Sequence, residues 1–213
     1  MPRNLSFSDR LVAHLDNALK TLTPGAVQAR QPLPGQGVEA PILDAGQAQH
    51  IAGLMRINHT GEVCAQGLYQ GQALTAKLAH VRENMEQAAD EELDHLAWCE
   101  QRLSELNSRT SYLNPVFYSL SYAMGAAAGI AGDAWSLGFV AATEDQVSAH
   151  LRDHLHQIDQ QDPRSTAILE RMLADEERHA EHALAAGGRN FPPPVKQLMT
   201  GISKVMTKTV YRV

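Results

Sequence analysis

The run Glu92-Leu93-Asp94-His95 constrains this chain more than any other stretch, and its pattern recurs at Glu176-Glu177-Arg178-His179. Each run contains a Glu-x-x-His pair, and side chains three residues apart lie on the same face of an α-helix. One carboxylate oxygen and one imidazole nitrogen are thereby presented to the same point in space. The pattern therefore predicts two helices whose polar faces meet inside the protein.

A lone glutamate precedes each pair, Glu62 before the first and Glu144 before the second, by roughly thirty residues. In an antiparallel hairpin of two helices, with a rise of about 1.5 Å per residue, each lone glutamate lies at a similar depth in the bundle to the Glu-x-x-His pair on the next helix. The same helical hairpin thus occurs twice, which predicts an all-α, ferritin-like four-helix bundle around two metal ions. The six expected metal ligands are Glu62, Glu92, His95, Glu144, Glu176 and His179.

Short motifs carry a risk of false matches, so solvated acidic helix faces are the alternative interpretation. Oxygen and imidazole donors suit iron or manganese better than zinc or copper. A histidine ligand usually donates its second nitrogen to an acceptor behind it. Glu91 and Asp175, each directly before a ligand glutamate, are the expected acceptors, the alternative being surface carboxylates. The remaining histidines expected on the surface are His14, His50, His80, His154, His156 and His182.

The length of 213 residues, with 44% hydrophobic and 20% charged residues, predicts one globular domain. We expect an N-terminal helix and extended arm over 1–43, the metal-binding bundle over 44–188, and a basic amphipathic helix over 189–213. Ser6 or Ser8 caps the first helix, and Asp162-Pro163 begins the last helix of the bundle. The helices expected in the bundle are 44–78, 81–106, one from 114, one ending near 158, and 162–187.

The run Arg56-Ile57-Asn58-His59-Thr60-Gly61-Glu62 carries a more specific signal. It resembles the signature of the demethoxyubiquinone hydroxylase family of ubiquinone biosynthesis, of the bacterial type. The resemblance continues through Glu91–Leu96, Ala142–Glu144 and Asp175–His179, and it spans about residues 50–210.

The resemblance implies an oxygen-dependent di-iron mono-oxygenase that hydroxylates the ring of demethoxyubiquinol. It implies two iron ions per chain, held by the same six ligands, and dioxygen as the co-substrate. It also implies a role for His150 near the site, in hydrogen bonding or proton delivery. Leu151 follows His150 where some members have tyrosine, so the resemblance does not carry an aromatic relay over to this chain.

A substrate with an isoprenoid tail lies in the membrane, and two segments suit contact with lipid. Residues 110–132 contain no charged residue or histidine. They are marginal as a membrane span, which needs about 20 mostly apolar residues. We expect a helix that lines a substrate channel or dips into the leaflet, the alternative being a packed core helix.

The second segment is the C-terminal tail, where every charged residue after Glu181 is basic. Basic amphipathic helices lie in the interface of anionic bilayers. The competing explanation is packing on the bundle or on another subunit. The N-terminus lacks the apolar core of a secretory signal. We therefore expect a peripheral protein on the cytoplasmic face of the bacterial inner membrane, with no nucleic-acid partner. Assembly with copies of itself or with other ubiquinone-biosynthesis proteins stays open.

Two other functions use a similar helical bundle. A ferritin-like protein that oxidises or stores iron needs the same ligands but no contact with lipid. A metal-free helical adaptor needs neither. The uncharged 110–132 segment and the basic tail favour the hydroxylase.

Overall fold

The computed structural model describes residues 6–39, 42–158 and 161–213. Within these ranges all regular secondary structure is helical, and it comprises seven helices. They are α1 (Phe7–Leu22), α2 (Ala45–Thr75), α3 (Ala79–Glu105), α4 (Asn114–Ala131), α5 (Asp133–Ile158), α6 (Pro163–Ala185) and α7 (Pro193–Val210). The all-α, ferritin-like fold class expected from the sequence is confirmed.

The starts of α1 and α6 follow the capping residues that the sequence predicts, and α2 begins in the same way. Ser6 and Asp44 each accept a hydrogen bond from the third residue of the helix that follows, and Asp162 caps α6 ahead of Pro163. α2 ends three residues before the expected Leu78. The reason is a long-range contact, since the Asp133 carboxylate accepts from the backbone N–H groups of residues 77 and 78.

Helices α2, α3, α5 and α6 form the bundle, and two apolar clusters fill its two ends. One cluster includes Met55, Leu103 and Ile168, and the other includes Tyr69 and Leu137. The residues of the Glu-x-x-His motifs lie in the layer between these clusters. The apolar ends thus fix the helices on both sides of a polar centre.

Helix α4 packs along the outside of α2 at a distance that only glycine permits. A Cβ atom added to Gly71 would lie 2.1 Å from the Tyr122 carbonyl oxygen, and one added to Gly125 would lie 2.1 Å from that of Leu68. The close approach of α4 therefore requires glycine at position 71 of α2, where any larger residue would collide with the α4 backbone. The outer face of α4 remains exposed, with Leu120 and Ile130 more than half accessible.

The N-terminal arm crosses α3 and α6 at one end of the bundle. Asp94 of α3 accepts a hydrogen bond from the Arg30 backbone N–H, at 2.5 Å, and Arg171 of α6 donates to the Gln31 side chain. Arg164 of α6 donates to a backbone carbonyl further along the arm. The arm therefore covers about half of the length of the groove between α3 and α6, the two helices that carry the Glu-x-x-His motifs.

Helix α7 has one end fixed to the bundle and one apolar face exposed. Val210 is fully buried, and the Tyr211 hydroxyl hydrogen-bonds with His50 of α2. Leu198 and Val205, in contrast, are more than 60% accessible. None of the helices in the described part of the chain has the length and apolar character that crossing a bilayer requires.

Candidate metal centre

The structure brings the predicted ligands together in the middle layer of the bundle. Glu62, Glu92, His95 and Glu176 each offer one ligand atom, and these atoms all lie within 4.8 Å of one another. Nδ1 of His179 joins them, 2.9 Å from Glu92. The sixth residue, Glu144, is buried in the same layer and accepts a hydrogen bond from the Tyr69 hydroxyl. All six side chains are at most 7% exposed.

Glu92 and Glu176 each reach both histidines. Glu92 Oε2 lies 2.7 Å from His95 Nδ1, while its Oε1 lies 2.9 Å from His179 Nδ1. Glu176 repeats the arrangement, with Oε1 at 3.2 Å from His95 and Oε2 at 3.5 Å from His179. Glu62 lies on the His95 side, at 3.9 Å. The centre therefore has two related halves, joined by two carboxylates that face both.

The second nitrogen of each histidine donates to a carboxylate on the opposite motif helix. His95 Nε2 donates to Asp175 at 3.2 Å, and His179 Nε2 donates to Glu91 at 2.9 Å. These are the two acceptors expected from the sequence, and both contacts are confirmed. Nδ1 of each ring faces the carboxylates of the centre. Because Nε2 carries the hydrogen, Nδ1 has the lone pair that can bind a metal. Each histidine is thus oriented to bind a metal through Nδ1.

The polar atoms at the centre have the character of metal ligands. Within the described residues, both Glu92 oxygens, Glu176 Oε2 and Nδ1 of both histidines are buried without a hydrogen-bond partner. They lie close together but do not point at one another in hydrogen-bond geometry. Buried polar atoms left in this way are costly unless something binds them. A pair of divalent cations would satisfy all five atoms, so the residues fit a metal centre.

The electrostatics of the centre lead to the same conclusion. Burial raises the pKa of Glu62 well above its usual value, and the charges of Glu176 and Glu92 raise it further. Burial likewise raises the pKa of Glu144, with the same two carboxylates adding to the shift. Although burial opposes it, contact with Glu176 and Glu92 raises the pKa of His179 to about 12. Glu62, Glu144 and His179 therefore favour their protonated forms, and a metal must displace these protons when it binds.

Tyr69 is a residue at the centre that the sequence analysis missed. Its side chain is fully buried, and its hydroxyl donates to Glu144 Oε1. A signal for it exists, because it follows Glu62 by two helical turns and so lies on the same face of α2. Tyr69 holds the Glu144 carboxylate in one orientation within the layer.

His150 lies on α5 outside this set of contacts. Its ring stacks on that of His154, with centroids 6.4 Å apart. The role that the family resemblance implies for His150 stays a prediction. The expectation that His154 lies on the surface is wrong, because it is only 4% exposed. Its Nδ1 donates to Asn58 Oδ1 at 2.9 Å, and this contact binds α5 to α2.

The motif residues before Glu62 hold α2 in place rather than reach the centre. Asn58 binds α5 through His154, and Asn114 at the start of α4 donates to His59 Nδ1 at 3.3 Å. Arg56 donates to the loop after α3 and to the Tyr211 carbonyl at the end of α7. Contacts from three residues within about one helical turn thus set the rotation of α2 and thereby the direction of Glu62.

An all-α bundle with a buried, two-fold arrangement of carboxylates and histidines defines a ferritin-like metal-binding class of protein. Comparison with known sequences narrows this class. The model of the family described as ubiquinone biosynthesis protein COQ7 matches residues 49–210, and the chain belongs to that family.

Several relatives extend over almost the whole chain. A 3-demethoxyubiquinol 3-hydroxylase of Azotobacter vinelandii is 62% identical over 99% of this chain and 98% of its own length. The protein of the same name from Pseudomonas syringae is 57% identical over the same shares. That from Acinetobacter baumannii is 60% identical over 98% of this chain and 99% of its own. The similarity therefore includes the N-terminal arm as well as the bundle.

Proposed function

We propose that this protein is an oxygen-dependent di-iron mono-oxygenase that hydroxylates the ring of demethoxyubiquinol during ubiquinone biosynthesis. The observation that carries the proposal is the pair of carboxylates, Glu92 and Glu176, each facing both histidines. It occurs in a chain 62% identical to a protein named for this reaction. An iron-storage bundle is the alternative, and the names of the relatives disfavour it.

Six residues would hold two iron ions per chain. His95 with Glu62 and His179 with Glu144 supply the two halves, and the remaining two glutamates join them. Four carboxylates balance the charge of two ferrous ions, which a buried site requires. Hard oxygen donors with two imidazoles favour iron over zinc or copper. Bound iron would supply the reduction and activation of dioxygen, which none of these side chains performs.

The protein's own groups would orient and shield this chemistry. Asp175 and Glu91 hold the two imidazole rings in one tautomer, and Tyr69 fixes the Glu144 carboxylate. The apolar clusters at both ends of the bundle exclude bulk water, which strengthens every charge interaction at the centre. The proposal includes a role for His150 in hydrogen bonding or proton delivery, as the family resemblance implies.

Contact with the cytoplasmic face of the inner membrane is part of the proposal. Exposed apolar residues on three helices support it, and they are Leu11, Val12, Leu15 and Leu19 on α1, Val116, Leu120, Met124 and Ile130 on α4, and Leu198, Ile202 and Val205 on α7. Lys204 and Lys208 are exposed on α7 and suit an anionic lipid surface. In this proposal the four-helix bundle binds the metal, and α1, α4 and α7 contact the lipid.

A glutamate substitution with a neighbouring control tests the function. Glu144→Ala should lose iron and quinol hydroxylation together, because it removes a ligand from one half of the centre. Glu177→Ala is the control, since that side chain is half exposed and pairs with Arg152 on the surface. Iron is counted by metal analysis, and the product is followed by mass spectrometry with labelled dioxygen. Full iron loading and activity in Glu144→Ala would contradict the proposal.

A further inference from the structure

Arg171 of α6 donates to the same carboxylate oxygen that orients His95. Its Nε lies 2.8 Å from Asp175 Oδ2, and His95 Nε2 lies 3.2 Å from that oxygen. Arg171 precedes Asp175 by four residues, a spacing at which side chains of one helix meet. The acceptor that holds the imidazole ring is thus itself held by a guanidinium group.

The N-terminal arm contacts Arg171 on its other side. The guanidinium Nη2 donates to the Gln31 side chain at 3.3 Å. Gln31 is in turn bound to α3, because Trp98 Nε1 donates to its backbone carbonyl at 3.4 Å. A continuous series of contacts therefore runs from the arm through Arg171 and Asp175 to His95.

Trp98 supports His95 directly as well as binding the arm. The indole and imidazole centroids are 5.4 Å apart, and Trp98 is almost fully buried. The imidazole is therefore supported by the indole and, at Nε2, by Asp175. Gln31 contacts the first of these supports itself and the second through Arg171.

The contacts behind the other histidine differ. Glu91, the acceptor of His179, also accepts a hydrogen bond from Gln87 of its own helix at 3.0 Å. Its side chain is 40% exposed, whereas that of Asp175 is 7% exposed. Arg178 lies 3.7 Å from Glu91 and 3.1 Å from Asp175, so it contacts both acceptors. Among the residues that the structure describes, the series of contacts that reaches the arm thus belongs to one half of the centre.

Resting on the metal centre of the proposed function, we propose that Arg171 is a positioning residue for the His95 half, held in place by the arm through Gln31. A hydrogen bond between a guanidinium and a carboxylate is charge-assisted and therefore strong. It keeps Asp175 in one orientation, and Nδ1 of His95 then stays directed towards Glu92. Outer partners of this kind determine how tightly a histidine ligand binds its metal. The arm therefore supports one iron of the pair more than the other.

Arg171→Met tests this assignment, with Arg164→Met as the matched control. Both replace an arginine of α6 that donates to the arm. Arg164 lies two turns earlier and donates to the Val38 carbonyl and to Glu105. Full-length protein is loaded with ferrous iron without oxygen, and a chelator then withdraws the iron while Mössbauer spectroscopy follows the two sites. Arg171→Met should bind one iron about tenfold more weakly and the other as the wild type does. Arg164→Met should bind both irons as the wild type does.

Three further variants separate positioning from a general loss of stability. Arg171→Lys keeps a charged donor beside Asp175, so it should bind the weakened iron more tightly than Arg171→Met. Gln31→Ala changes neither motif helix, so it stays informative if Arg171→Met fails to fold, and it should weaken the same iron by a smaller factor. Adding Arg171→Met to Asp175→Asn should have less effect than Arg171→Met alone, because the two residues act through one contact.

Each outcome decides between the positioning role and the proposed function. Equal weakening of both irons in Arg171→Met, or wild-type affinity for both, would overturn the positioning role and leave the proposed function intact. An additive effect with Asp175→Asn would also overturn the positioning role. If the wild type binds two irons but hydroxylates no quinol, the proposed function fails, while selective weakening of one iron still supports the role of Arg171. A wild type that binds no iron would overturn both.

Discussion

Asp175 accepts a hydrogen bond from His95 across the bundle, although Asp175 directly precedes Glu176 on α6 and His95 belongs to the other motif helix. Glu91 and His179 form the reciprocal contact. Each Glu-x-x-His helix therefore supplies the acceptor for the histidine of the other. The two halves of the centre are coupled through these contacts as well as through the shared carboxylates.

Asp175→Asn should weaken metal binding because the amide is a poorer acceptor for the His95 N–H than the carboxylate. Loss of such an outer partner typically costs about 10- to 100-fold in metal affinity. Competition with a chelator, followed by metal analysis, measures the effect. Glu170→Gln is the control, since it changes an exposed carboxylate on the same helix. Equal metal affinity in the two variants would show that Asp175 does not support His95.

Arg102→Met should destabilise the fold strongly without touching the centre. Arg102 is 3% exposed and donates to the fully buried Asp162 at 2.7 Å and to Ser165 at 3.0 Å. Removing one partner leaves a buried charge uncompensated, which costs about 3–5 kcal/mol. Urea denaturation measures the free energy of unfolding.

An exposed ion pair offers the matched comparison. Arg152→Met breaks the pair with Glu177, in which both side chains are about half exposed. Such pairs contribute about 0–1 kcal/mol. If Arg102→Met and Arg152→Met lower the free energy of unfolding equally, the buried contacts of Arg102 do not stabilise the fold more than an exposed ion pair does.

Gly71→Ala should push α4 away from α2. The new Cβ would lie 2.1 Å from a backbone oxygen of α4, which cannot move aside alone. Overpacking of this kind costs about 1–3 kcal/mol. At Gly61 of the same helix, an added Cβ meets nothing within 4 Å, so alanine there should stabilise the helix by about 0.5–1 kcal/mol. Thermal unfolding of the two variants should shift in opposite directions.

Replacing Leu198, Ile202 and Val205 together with glutamine should weaken binding to vesicles that contain anionic lipid. These three side chains are more than half exposed, and each removes apolar surface from water when it enters the interface. Sedimentation with vesicles should show at least a tenfold loss of bound protein, with full iron content. Lys204→Ala with Lys208→Ala should instead reduce binding most at low salt, because charge attraction is screened. Unchanged sedimentation of the triple variant would show that the apolar face of α7 does not contribute to lipid binding.

The sequence predicted the six polar residues of the centre because helical periodicity is local and repeats in each hairpin. Glu91 and Asp175 were predicted as acceptors from their positions directly before a ligand glutamate. The path of the arm could not be predicted, since contacts such as that of Arg30 with Asp94 have no local signal. His154 looked like a surface residue because its partner lies on another helix.

Two buried histidines that stay neutral, His154 and His59, should each contribute a loss of the free energy of unfolding as the pH drops from about 7 towards 4. Burial lowers the pKa of His154 to about 4, with smaller effects of His150, Asp153 and His50, and burial lowers that of His59 to about 4. In the unfolded chain both rings titrate near pH 6.5. At pH 5 the unfolded state therefore binds protons that the folded state does not, which favours unfolding. Each ring should cost about 2 kcal/mol between pH 7.5 and 5.

His154→Gln should remove one such contribution, so its free energy of unfolding should rise by about 2 kcal/mol relative to that of the wild type between pH 7.5 and 5. The difference between the two proteins is the informative quantity, because the carboxylates of the centre titrate in both and cancel. His156→Gln changes an exposed ring on the same helix and should leave the wild-type pH dependence in place. Urea denaturation at pH 7.5, 6 and 5 provides the measurement. Parallel curves for the wild type and His154→Gln would mean that His154 is not held neutral in the folded state.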